Sequence, residues 1–287
     1  MDRLTLAAPP KVNLRLLVGP RRPDGYHPLR SLMVALDGPA DAVTVRRAPS
    51  REVRCPGLDG PVNLAWRALD ALERAAGRRL PLAVDIEKRI PAQAGLGGGS
   101  SDAAAVLVGA DRLLGLGLGP GRLEAVAAEV GSDVPFFVRG GAQWAEGRGE
   151  RLRPAPAPPL AVLLHMPAGL ALSTASVYAA FDRLPPPPPG DGAPAPAAFR
   201  EVVAWSRNDL WGAALGLAPR LGAGARALRA AGARGVLLCG SGACLAGLFP
   251  DRAAAGAAAA ALPPGGFRAV AEPAPARFGG NGADRHG

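Results

Sequence analysis

Residues 91–107 read PAQAGLGGGSSDAAAVL, with four glycines and two serines directly ahead of an alanine-rich run. Alanine favours helix and glycine resists it, so the chain must leave a loop and enter a helix near Ser101. Bare backbone at that mouth lets peptide N–H groups converge, and the positive end of the helix adds its dipole, so an anion such as phosphate fits there. The preceding PLAVDIEK reads as a strand, which makes the segment a strand–loop–helix unit. Two common phosphate loops are excluded. No Lys-Ser/Thr pair follows the glycines, and Ser100 stands where a dinucleotide fingerprint needs its third glycine. On the residues alone the loop is either an anion cradle or a glycine-rich turn capped by Ser100 or Ser101.

The flanking sequence alternates sheet and helix signals. In KVNLRLLV, Val12, Leu14 and Leu16 fall on one side of a strand and Lys11, Asn13 and Arg15 on the other. Asp24-Gly25 favours a tight hairpin turn, and LRSLMVALD and DAVTVRR continue an antiparallel opening. Asn63 caps a helix whose stripe is Ala65, Ala68, Leu69, Leu72 and Ala75, and Gly77 stops it. Helices are predicted over roughly 101–114 and 121–130, after which SDVPFFVRGG returns to strand. A composition shift at RLRPAPAPP sets a boundary, giving one unit at 1–155 and another at 156–276. The second holds a strand LAVLLHM, a helix STASVYAAFD, an exposed proline-rich loop at 185–198 and helices across 198–230. A hairpin GVLLCGSGACLAGLF, an alanine-rich helix and a last strand FRAVAEP complete it, while the tail at 277–287 is expected to be disordered.

With 287 residues the chain can bury two cores, and the fold class expected is α+β. The formal net charge is +9, yet Lys11 and Lys88 are the sole lysines among 33 basic residues. The arginines are scattered, whereas a nucleic-acid binder concentrates them on one face; an anionic small-molecule substrate remains compatible. Cys55, Cys239 and Cys244 are an odd set without metal-ligand spacing, as expected of reduced thiols. The N-terminus lacks a targeting pattern and no apolar run is long enough to span a bilayer, so a cytoplasmic monomer or homodimer without membrane or nucleic-acid partners is expected.

Nine segments, PPKVNLRLLV, RRPDGYHPLRSLM, NLAWRAL, PAQAGLGGGSSDAA, GSDVPFFVRGG, AEGRGERL, STASVY, RNDL and CGSGACLAGLF, follow one another through most of the chain. As an ordered set they resemble the GHMP kinases, the superfamily of galactokinase, homoserine kinase and mevalonate kinase. Pro91 through Ser101 matches its Pro-x-x-x-Gly-Leu-Gly-Ser/Gly-Ser-Ser loop with one extra glycine. The resemblance implies an N-terminal domain like ribosomal protein S5 domain 2, a ferredoxin-like C-terminal domain and an active site between them. It implies transfer of a phosphoryl group from ATP, with Mg²⁺, to an alcohol. Within the superfamily the likeness is greatest to the branch whose acceptor is a methylerythritol linked to cytidine diphosphate, in non-mevalonate isoprenoid biosynthesis.

Carried onto this chain, the resemblance assigns Pro91, Gly95, Leu96, Gly97, Gly98, Gly99 and the Ser100 and Ser101 hydroxyls to the ATP phosphates, with Ser101 also a metal ligand. Asn63 and Leu64 fall near the nucleoside. Asp133 is the implied catalytic carboxylate, as a base or as an orienting group, and Lys11 sets a positive charge beside it and the acceptor hydroxyl. Tyr26 and Tyr178 sandwich the cytosine, His27 meets its edge, and Asn13 and Thr174 bind the methylerythritol diphosphate. Asp102 would repel a triphosphate, so it is expected to turn away from the nucleotide or towards the metal. Plainer readings stand beside these: Asp133 and Asn63 as caps, the tyrosines as core aromatics, Lys11 as a solvated strand lysine. Two rival functions are a GHMP kinase acting on homoserine, mevalonate or a sugar, and a basic RNA-binding S5-like module.

Overall fold

The computed structural model describes residues 2–188, 190 and 193–276. The expected disordered tail at 277–287 lies outside them, as does part of the proline-rich run. In chain order come β1 (Arg3–Ala8), β2 (Lys11–Val18), β3 (Leu29–Ala35), β4 (Asp41–Arg47), β5 (Glu52–Arg54), α1 (Leu64–Ala76) and β6 (Leu82–Glu87). Then follow α2 (Gly98–Leu114), α3 (Gly119–Val130), α4 (Val134–Arg139), β7 (Ala142–Gly147), β8 (Arg151–Ala155) and β9 (Ala161–Met166). The remainder is α5 (Thr174–Phe181), α6 (Phe199–Trp205), β10 (Arg207–Asn208), α7 (Trp211–Leu217), α8 (Arg220–Ala230), β11 (Gly235–Leu238), β12 (Leu245–Phe249), α9 (Arg252–Ala261) and β13 (Phe267–Ala271).

These strands form three sheets, ordered β1-β4-β6-β5, β10-β2-β3-β7-β8 and β11-β12-β9-β13. The first carries α2 against β1 and β4 with α1 packed on α2, and Val43, Val45, Val84 and Ile86 share one core with Leu69 and Leu72. Burying each such leucine contributes about 2 kcal/mol. α2 is buried nearly all round, from Ser101 through Ala110, because alanines let it approach on every side. Gly109 sits where a Cβ would come within 2.8 Å of Leu6 Cδ1. The second and third sheets face each other through Val12, Leu14, Leu32 and Val34 on one side and Val162, Leu164, Ala246 and Leu248 on the other. None of the helices among the described residues is long and apolar enough to cross a membrane.

Three expectations are corrected. Residues 134–139 are helical, because Pro135 in the first turn lacks the N–H an inner strand must donate and suits a helix start. Strand returns only at Ala142. The alternation of β2 breaks as well: the register with β3 passes from Asn13↔Met33 to Arg15↔Leu32, so Leu14 is an extra residue in a bulge. Parity therefore reverses there. Leu16 joins the face of Lys11 and Asn13, whereas Arg15 lies over the Trp205 ring at 4.7 Å. Finally, β2 and β3 are antiparallel, but their connection spans residues 19–28, with the Asp24-Gly25 turn at its tip and the Arg22 N–H donating to the Tyr26 carbonyl at 2.8 Å.

Candidate active site

A cleft of about 910 Å³ opens between β2, the 91–97 loop and the start of α2 on one side and α5 with residues 240–241 on the other. Gly95 and Gly97 hold φ of 75° and 73°, the left-handed region that glycine enters freely. A Cβ on Gly95 would overlap the Cys239 carbonyl oxygen, and one on Gly97 would stand 2.8 Å from the Phe137 ring. The loop is thus wedged against both halves of the chain. The CGSGAC turn backs it, since the Ala243 and Cys244 N–H groups donate to the Gln93 and Ala94 carbonyls, both at 3.0 Å. At the mouth of α2 the Ser101 N–H donates to the Gly97 carbonyl at 2.9 Å, while the amides of Gly98, Gly99 and Ser100 have no acceptor among the described residues. Three free N–H groups at a helix start form an anion site.

The serines divide. Ser100 lines the cleft, whereas Ser101 is fully buried and its hydroxyl has no partner among the described residues. Pro91, Leu96, Asn63 and Leu64 also line it. Asn63 is a helix cap, its Oδ1 accepting from the Ala65 N–H at 2.9 Å while its Nδ2 donates to the Leu58 carbonyl at 3.0 Å.

Lys11 begins β2 with its N–H donating to the Leu96 carbonyl at 3.0 Å, a bond that sets the strand beside the loop. Its side chain is nearly buried, 4% exposed. Nζ donates to Asn13 Oδ1 at 2.6 Å and lies 3.6 Å from Asp133 Oδ2. Asn13 is fixed in turn, donating to Ser31 Oγ at 2.7 Å. Asp133 stands at the head of α4 yet makes no side-chain cap bond there. Its carboxylate is left facing the lysine and the cleft.

Asp102 turns away from the cradle to Lys88, whose Nζ donates to it at 2.7 Å and also to Asp41. Asp41 accepts from the Ile90 N–H at 2.8 Å as well. One ammonium thus serves two buried carboxylates beneath the loop. Burial drives the Asp102 carboxyl up to about 7 against the opposing pull of Lys88. Burial opposes the Lys88 charge in turn, and the two carboxylates more than offset it. Lys88 was noted in the sequence without a role, although its survival in an arginine-rich chain was a signal.

At the far end Tyr26, His27, Thr174 and Tyr178 all line the same cleft. Tyr26 is half exposed, with the Arg148 guanidinium 4.0 Å over its ring and Arg148 Nη2 donating to Asp24 at 3.1 Å. The Tyr178 hydroxyl is pushed up to about 12, first by burial and then by the charge of Asp133. Thr174 and Ser241 hydroxyls meet at 2.9 Å. Arg148, Ser241 and Asp182 also line the cleft; the first two fall within the AEGRGERL and CGSGACLAGLF segments but were given no role, and Asp182 had no signal of its own.

Among the described residues no group of three or more His, Cys, Asp or Glu side chains is placed to hold a metal ion. Mg²⁺ binds through one or two carboxylates, waters and substrate phosphates. Ser100 and Asp133 supply oxygen on the cleft wall.

Comparison with known proteins gives the following. Residues 63–141 match the model of the GHMP kinases N terminal domain and residues 207–266 that of the GHMP kinases C terminal region. A 4-diphosphocytidyl-2-C-methyl-D-erythritol kinase from Anaeromyxobacter dehalogenans is 46% identical over 272 residues, covering 91% of this chain and 85% of the relative. One from Geobacter metallireducens is 44% identical over 271 residues, covering 91% and 95%. A crystal structure of 4-(cytidine 5'-diphospho)-2C-methyl-D-erythritol kinase superposes with a TM-score of 0.79 at 38% identity, over 94% of this chain and 100% of the other. The homoserine kinase from Cytophaga hutchinsonii, 19% identical with a TM-score of 0.67 over 91% of this chain and 89% of its own, shares the fold.

Proposed function

This chain belongs to the 4-diphosphocytidyl-2-C-methyl-D-erythritol kinase family of GHMP kinases, and on that premise we propose that it phosphorylates the 2-hydroxyl of 4-diphosphocytidyl-2-C-methyl-D-erythritol from ATP. It is a phosphotransferase of isoprenoid precursor biosynthesis with an alcohol as acceptor. The observation that carries the substrate reading is one shared cleft, lined by the Lys11–Asp133 pair, the three free loop amides and the two tyrosines of the chain.

Bound at the loop with Mg²⁺, ATP supplies the phosphoryl group, and the metal offsets the charge on its oxygens. The amides of Gly98, Gly99 and Ser100 hold the phosphate end, with the Ser100 hydroxyl beside them. Asp133 accepts the hydrogen bond of the acceptor hydroxyl and aims its oxygen. Lys11, held by Asn13, places a positive charge where negative charge grows on that oxygen. Burial of Lys11 keeps its ammonium from wandering, so alignment is set before substrate arrives. Tyr26 and Tyr178 offer flat faces to a pyrimidine, and Thr174 with Ser241 offers hydroxyls to the diphosphate. One chain supplies the residues that line the cleft, so a monomer and a homodimer in the cytoplasm serve equally for a diffusing small molecule.

The test is purified protein with ATP, Mg²⁺ and a panel of alcohols, followed by ³¹P NMR. The expected product is a new phosphomonoester on the C2 oxygen of the cytidylylated acceptor. Faster turnover of homoserine, mevalonate or a free sugar would assign the chain to another branch.

A further inference from the structure

We infer that Asp182 is a positioning residue for the acceptor's base, acting through His27. The inference rests on the functional reading above for its substrate and on geometry for its mechanism. The His27 side chain is 6% exposed, so its ring nitrogens depend on protein partners. Nδ1 lies 2.8 Å from the Gly19 carbonyl oxygen, which can only accept, so Nδ1 carries a hydrogen. Nε2 lies 3.0 Å from Asp182 Oδ1. With Nδ1 committed to Gly19, the other ring edge faces the Asp182 carboxylate, and the two contacts together fix the orientation of the ring.

The consequence for the cleft follows from helix spacing. Thr174, Tyr178 and Asp182 are four residues apart and all three line the cleft, so α5 and its C-cap present one stripe to it. The His27 ring packs on that stripe, 5.3 Å from the Tyr178 ring and 5.7 Å from Phe181. Asp182 thereby fastens the 19–28 connection to the helix that carries one of the two base platforms, and Arg21, 3.7 Å away, adds to the tie. The main-chain N–H and carbonyl of His27 have no hydrogen-bond partner among the described residues, which leaves a donor and an acceptor edge for a pyrimidine. Behind the pair lies a second cavity of about 880 Å³ that His27 and Asp182 also line. The His27–Asp182 contact is a partition between the two, and without it the ring has room to turn back.

Asp182→Ala removes the contact, and Asp182→Glu keeps a carboxylate there. In the ligand-free wild type, NMR of the imidazole, assigned with a His27 variant, should show NOE contacts from the His27 ring to the Tyr178 and Phe181 rings, and Asp182→Ala should weaken them. The KM for the cytidylylated acceptor should rise about tenfold in Asp182→Ala with kcat and the KM for ATP held within about twofold, and Asp182→Glu should recover part of the loss. Ring contacts unchanged in Asp182→Ala, or an equal rise in both KM values, would overturn the inference. If the wild type turns over no cytidylylated acceptor, the functional reading fails, while the NMR comparison still decides whether Asp182 sets the position of His27.

Discussion

Lys11 and Lys88 face one cleft from opposite sides of the glycine loop, in a chain that elsewhere uses arginine. An ammonium is compact and a guanidinium is not. A Cβ at Gly240 would be 3.2 Å from Lys11 Nζ, so the ammonium packs close against the glycine backbone of the 240–241 turn. If Lys11 and Asp133 act as proposed, Asp133→Asn should lower kcat by roughly a hundredfold or more with little change in either KM, read by steady-state kinetics. The Asp41–Lys88–Asp102 group makes a prediction about pH. Asp102 titrates near 7 when folded and near 3.8 when unfolded. Between those values the folded chain holds a proton that the unfolded chain has lost, so stability falls as pH rises through that window. Asp102→Asn should flatten that slope, seen as a smaller difference between Tm at pH 5 and at pH 8. Burial also raises the Cys55 and Cys244 thiols, so iodoacetamide at pH 8 should label neither in the native protein and both after denaturation, counted by mass spectrometry.

The glycine loop and α2 behave as one element. Gly95→Ala meets both a positive φ and the Cys239 carbonyl, and should cost at least about 2 kcal/mol in urea denaturation, with ATP affinity falling alongside. Much of this element was legible in the sequence, because local chemistry determines it: bare glycines followed by alanines allow few other arrangements. The faces of Lys11 and Asn13 were legible for the same reason, from strand alternation. Arg15 was not. Its side depends on the bulge at Leu14, which is set by the register with β3 and has no cue within KVNLRLLV itself. Residues 134–139 were misread because their apolar run suits either a strand or a helix, and Pro135 is what decides between them. Lys88 and Asp182 needed partners from other elements before their roles appeared, Asp41 and Asp102 in one case and His27 in the other.

Across the whole molecule, the two halves suggested by composition near residue 155 share a sheet. β10 comes from the later half and pairs in parallel with β2, Arg207 beside Arg15 and Asn208 beside Leu16. Asn208 extends the tie to the CGSGAC turn, its Nδ2 donating to the Leu238 and Gly240 carbonyls at 2.8 and 2.7 Å while its Oδ1 accepts from the Leu210 N–H. Pro273 and Ala276 bridge back to Leu36 and Gly140. Stitching of this kind predicts one cooperative unfolding transition, with calorimetric and van't Hoff enthalpies in agreement, in place of two. Asn208→Ala, which strands three buried polar groups, should lower stability by roughly 3 kcal/mol in the same measurement. The strand order also constrains synthesis. While the ribosome has released only the first 155 residues, the β2 edge that β10 will occupy lies bare, and the backing of the glycine loop has not been made. A nascent chain therefore carries Lys11, Asp133 and the loop long before it can hold them in register, and competence arrives late, with translation past Cys244.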